Sequence, residues 1–220
     1  MHRKLQLALW EAGCVVFVAV AGSILHFAFE LSEFWTPLAL VAAVNESAWE
    51  HSKIYFWPGV VYALVQYTYT REVANNYWFG KALASTVTPL SIFIIYYSYM
   101  ALIGLLDTKA SLQVMLSIML IGIVIGQLVS YLVLSEEPVR VELRRLALPL
   151  YAILIVMYSS LTFFPPRIFL FENFFCYQYT GDYGILPDYT PYRVFTRQGD
   201  PTPAGGVNYC AKVDAGGEGD

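Results

Sequence analysis

The run "LQLALWEAGCVVFVAVAGSILHFAF", residues 5–29, decides what kind of protein this is. It exceeds the roughly 20 residues an α-helix needs to cross the hydrocarbon core of a bilayer, and Glu11 is its only acid. Preceded by "MHRK", it also has the outline of a secretory signal peptide, with a basic start and an apolar run. Two features argue against removal. The apolar run reaches Phe29 without a polar cleavage region, and "WEAGC", residues 10–14, puts a glutamate where a lipoprotein box is apolar. The segment is read as a first membrane helix.

The rest of the chain agrees. Of 220 residues, 57% are hydrophobic and 14% charged, where a soluble domain carries about a quarter charged. The expected fold is all-α: a polytopic membrane helix bundle with about five transmembrane helices, near residues 5–30, 47–70, 77–106, 110–134 and 146–164. The stretch 34–44, "FWTPLALVAAV", covers only about half a bilayer at 1.5 Å per residue and reads as a re-entrant or interfacial half-helix begun at Pro37. Residues 1–164 form the transmembrane domain. Residues 165–220 read as an extracytoplasmic, irregular tail, interfacial where it is aromatic ("FLFENFFCYQY") and disordered at its end ("DAGGEGD"). A net charge of −4 without a basic stripe argues against nucleic acid.

Lys and Arg set the orientation. Arg3, Lys4, Arg71, Arg140, Arg144 and Arg145 fall on one side of five spans, so the N-terminus is expected on the cytoplasmic side and the tail opposite it. Lys109 is weak contrary evidence. Cys176 and Cys210 lie in the tail, on the side expected to be oxidising in a bacterial inner or secretory membrane. A disulfide between them is an open expectation that a free-thiol count tests. Cys14, inside the first helix, is read as a packing residue.

Ionisable groups inside apolar runs are costly and are candidates for function. His26 and Glu30 are four apart on one helical face, and Glu46, Glu50 and His51 open the second helix within the box "NESAWEH", residues 45–51. Imidazole nitrogen with carboxylate oxygen suits a divalent metal such as zinc, and a carboxylate outside the coordination sphere can act as general base on metal-bound water. His26, Glu30, Glu46, Glu50 and His51 are therefore the candidate metal ligands. Adjacent Glu50 and His51 point about 100° apart, so both cannot face one ion on a regular helix. Helix capping is the competing reading. Asn45 suits an N-cap, Ser47 and Glu50 match a capping box, and acids in a first turn favour the positive end of the helix dipole. Capping leaves His51, His26 and Glu30 unaddressed.

Elsewhere, Glu11 and Lys81 lie at a similar depth and can pair, although Lys81 can also snorkel. Gln127, Ser130 and Tyr131 read as interhelical hydrogen-bonding groups. The chain shows no phosphate loop, nucleophile elbow, CxxC or internal repeat.

Three pieces, "HFAFE", "VNESAWEHSKIYFWP" and "FFPPRIFLFE" followed by "TGDYGI", resemble a domain-of-unknown-function family of small bacterial integral membrane proteins. That family has an Asn-Glu-Ser-x-Trp-Glu-His box and a late Pro-Pro to Tyr-Gly-Ile stretch. The likeness spans residues 5 to about 185 and implies a multi-helix membrane fold without a reaction. By motif it picks out His26, Asn45, Glu46, Trp49, Glu50, His51, Pro165, Pro166, Tyr183 and Gly184. "NFFCYQYTGDYGI" is longer than the family's equivalent, and the residues after Ile185 look like an addition. If the tail returns to the layer of His26, Asp182 and Tyr183 can cap the polar cluster there, which makes them, with Asn45, ligand-binding candidates. Two functional readings lead, ahead of a transporter or proton path. One is an outer-side His/Glu site for a metal or small polar ligand, with hydrolysis as its chemistry. The other is an accessory subunit packed in the lipid bilayer against membrane-protein partners through the C-terminal tail.

Overall fold

The computed structural model describes residues 3–108, 110–175, 178–189, 193 and 195. Cys176, Cys210 and Lys109 lie outside the described residues.

The chain is a helix bundle with one small hairpin. Helix α1 spans Arg3–Leu31. It stops where Glu33 and Phe34 take left-handed backbone angles, φ 61° and 58°, that a right-handed helix cannot continue through. The half-helix expected over 34–44 shrinks to a short 3-10 helix, Thr36–Leu40, opened by Pro37. Its carbonyls are claimed from outside. Ala39 O accepts from Lys53 Nζ and Leu40 O from Trp57 Nε1, so the stretch is pinned to the next helix and ends there.

Helix α2, Ala48–Thr70, starts at Ser47, whose hydroxyl accepts the Glu50 N–H at 3.3 Å. Helices α3 (Tyr77–Leu105) and α4 (Leu112–Ser135) pack closely. At Gly126 a Cβ would fall 1.9 Å from Thr88 Oγ1, so only glycine permits that approach. Helix α5, Val141–Arg145, runs almost directly into α6, Ala147–Ser160.

Helices α1, α3 and α4 are each long and apolar enough to cross a membrane. Their outward faces carry exposed apolar side chains such as Val16, Val20, Ile94 and Leu120, as expected of surfaces in contact with lipid. The α6 helix is 14 residues, short of a full crossing.

The interior holds what lipid would not accept. Glu11 on α1 meets Lys81 on α3 at 2.7 Å, and Gln66 on α2 donates to the same carboxylate at 2.8 Å. The depth match read from the sequence is thus made as a buried ion pair. An aromatic stack of Trp49, Phe56 and Tyr158 ties α2 to α6, and Phe171 adds the loop beyond it.

Part of the stretch expected to be irregular is ordered instead. Strands β1, Glu172–Phe175, and β2, Gln178–Tyr183, form an antiparallel hairpin that pairs Glu172 with Tyr183 and Phe174 with Tyr179. Aromatic residues favour strands, and Phe174 packs its ring on Tyr179 across the pair. The chain leaves the hairpin through Gly184 at φ +63°, where a Cβ would lie 2.4 Å from Thr162 O. This glycine lets the returning backbone press against the end of the bundle.

Candidate metal centre

The start of α2 is clamped before any side chain reaches a ligand. Asn45 donates to Gly184 O at 2.8 Å and accepts the Ser47 N–H at 2.9 Å. The Glu46 N–H donates to Asn173 Oδ1 at 3.0 Å, and Trp49 N–H to Leu170 O at 3.0 Å. The box is thereby bonded to the loop after α6 and to the hairpin. Glu46 sits in the bend ahead of the helix, and its side chain reaches His51 in the first turn.

His51 Nδ1 lies 2.9 Å from Ser47 O. A carbonyl only accepts, so Nδ1 carries the proton and Nε2 is left bare. This is the orientation device common at metal-binding histidines, a ring N–H held by a backbone carbonyl. His26, near the end of α1, brings its Nε2 to 3.1 Å from His51 Nε2. Glu46 Oε2 completes a triangle, 3.5 Å from each.

These separations match three corners of a tetrahedron. Ligands about 2.0–2.1 Å from a zinc ion at tetrahedral angles stand about 3.3–3.4 Å from one another. A point equidistant from the three atoms lies about 1.95 Å from each, so an ion displaced slightly from their plane meets ordinary zinc bond lengths. His26, Glu46 and His51 thus form a group that could hold a metal ion, with a fourth corner for water or substrate. The electrostatics agree. Burial works against charge on Glu46, but the hydrogen bond to His26 and the fields of both imidazoles outweigh it and hold the carboxyl down at about 2.

The other candidates divide. Glu50 does not join the triangle, and its place among the ligands is corrected. Its carboxylate lies 2.6 Å from Lys53 Nζ and accepts from Thr162 Oγ1 at 2.7 Å and Val44 N–H at 3.1 Å. Lys53 also donates to Thr162 Oγ1 and Ala39 O, each at 2.8 Å. The physical reason is the helical angle between neighbours: with His51 facing α1, Glu50 faces the interior. Lys53, three residues on, was the sequence signal for that pair.

Glu30 stands beside the triangle rather than in it, where its carboxylate accepts the Phe195 N–H at 2.7 Å. Asn45 is a structural anchor. Asp182 and Tyr183 belong to β2, where Thr180 Oγ1 bonds Asp182 and the Tyr183 hydroxyl bonds Glu172. Thr162 and Asn173 were not foreseen, because they act across more than a hundred residues with no local pattern to betray them. Beside His26, Glu30 and Glu46 a groove opens, walled by Phe29, Phe34, Leu186 and Tyr189.

A family model described as a family of unknown function, DUF6512, matches residues 1–185. The chain belongs to this family. The match takes in all three members of the triangle and the residues that clamp them, so the centre lies within the DUF6512 region and not in the segment beyond it. No curated protein and no solved structure matches the chain.

Proposed function

We propose that this DUF6512 chain is a membrane protein that binds one divalent metal ion, zinc by donor chemistry, at His26, Glu46 and His51, and that it uses the site for hydrolysis. The observation that carries the reading is the triangle of 3.1, 3.5 and 3.5 Å with His51 Nε2 already bare. Two histidines, one carboxylate and an open corner are the donor set of hydrolytic rather than structural zinc sites. When bound, the ion would supply an activated water and polarise a carbonyl oxygen.

The chain's own groups account for the rest. Ser47 O fixes the His51 tautomer, Asn173 fixes the Glu46 backbone, and Glu30, which lines the groove outside the ligand set, is the proposed acceptor of the proton that water gives up. The site is proposed to face the side opposite the cytoplasm. Arg3 bonds Val73 O and Leu134 O, which gathers the N-terminus, the α2–α3 turn and the end of α4 at the other end of the bundle, where the basic residues collect.

Metal analysis of protein purified without a metal-affinity tag tests the reading. About one zinc per chain is expected in the native protein, with loss in His51→Ala and His26→Ala. No bound zinc, together with no shift in thermal stability when zinc is added, would refute it.

A further inference from the structure

The groove beside the triangle says what such a site would act on. We infer that it takes the acyl portion of an amphiphilic carboxylic ester or amide drawn from the membrane, with the carbonyl towards His26 and Glu46. This inference rests on the metal-site reading.

Three observations support it. The groove is amphipathic: His26, Glu30 and Glu46 line one part, and Phe29, Phe34 and Leu186 another. Its amide side chains are already spent. Asn45 holds Gly184 and Ser47, and Asn173 holds Glu46 and Thr180, so they are not available to read the hydroxyls of a sugar or the edge of a base. Finally, the groove sits at membrane-surface depth. Ile24 and Leu31 flank His26 and Glu30 on α1 and are 63% and 59% exposed, and Trp35 just beyond is 61% exposed. Exposed apolar side chains giving way to an exposed tryptophan mark the boundary between bilayer and water.

The cavity measures about 50 Å³. A water-sized group needs about 10–15 Å³ on this scale, so about four groups fit. The groove therefore grips the first few methylenes next to the carbonyl, and a longer chain continues outward. Hydrolysis forms one bond from the water oxygen to the acyl carbon and breaks the bond from that carbon to the leaving oxygen or nitrogen. The water's proton passes through Glu30 to that leaving atom, which departs as an alcohol or amine, and the acyl group departs as a carboxylic acid.

Alkyl hydroxamates, which chelate zinc through their head and carry a variable chain, are the probe. Acetohydroxamate and octanohydroxamate are titrated into the zinc-loaded full-length protein in lipid nanodiscs, with partition into empty discs subtracted. Each buried methylene contributes roughly a fourfold gain, so about four of them in a half-open groove give octanohydroxamate an advantage of about 50-fold. Ala43→Trp, which fills the groove, is expected to reduce that advantage below about threefold with zinc content unchanged. Phe34→Ala, on the partly exposed wall, is expected to weaken it with zinc content unchanged if Ala43→Trp fails to fold. Equal affinity of the two probes, or an advantage that survives whichever variant folds, overturns this inference alone. Protein that binds no zinc fails at the earlier step and overturns the metal-site reading with it.

Discussion

Two carboxylates four residues apart, Glu46 and Glu50, should fail in opposite ways when removed. Glu46→Gln takes a ligand from the triangle and little from the fold, because its side chain is 37% exposed and paired only with imidazoles at 3.5 Å. In the absence of metal it should cost at most about 2 kcal/mol, because solvent at the exposed part of the side chain screens the attraction of the imidazoles that holds its carboxyl down. Glu50→Ala strips the partner from Lys53, whose side chain is 0% exposed. A buried ammonium left with only Thr162 and Ala39 O to receive its protons should cost about 3–5 kcal/mol. Zinc reads the other half of the contrast. At a hundredfold excess over its dissociation constant, a ligand specific to the folded state adds about 2.7 kcal/mol of stability. That increment should persist in Glu50→Ala and vanish in Glu46→Gln. The assay is thermal or denaturant unfolding in mild detergent, with and without zinc, followed by tryptophan fluorescence. Glu50→Ala as stable as the native protein, or Glu46→Gln with the full zinc increment, would refute the assignment of roles.

Three further outcomes follow from the structure. Zinc affinity should fall as pH drops, by about tenfold per unit for each imidazole that protons compete for; titration by competition with a chelator measures it. Glu46, held at about 2, stays ionised as the imidazoles gain protons, so the loss should follow the histidines and not the carboxylate. Lys81→Met should destabilise the chain by about 3–5 kcal/mol by leaving Glu11 buried and uncompensated, and adding Glu11→Leu should restore most of the loss in the same unfolding assay. Gly184→Ala should cost about 2–4 kcal/mol, since a Cβ there has both a left-handed φ and Thr162 O at 2.4 Å against it.

The sequence carried the helices because their signal is local: apolar length, a capping serine and prolines near helix starts. It carried the neighbourhood of the site for the same reason, with His26 and Glu30 on one face and the box at the next helix start. It did not separate Glu46 from Glu50. The 100° between helical neighbours excluded Glu50 or His51 without saying which, and only the position of α1 against α2 decides. The hairpin was missed although the aromatic residues of "ENFF" and "QYTGDY" suit a strand, because aromatic residues near a membrane read equally well as an interfacial belt. Thr162 and Asn173 leave no trace in local pattern at all. Each is an ordinary polar residue until the loop after α6 brings it to the box.

The carbonyl of Ser47 does two jobs at once. It accepts the His51 N–H at 3.1 Å as the first bond of α2, and the His51 ring N–H at 2.9 Å. Folding of the helix end and tuning of the ligand are therefore one event, and no loosening of the first turn can spare the imidazole. A centre built this way behaves as a fixed anvil and not as a hinge. Whatever occupies the groove must come to the box, whose seven residues keep their places.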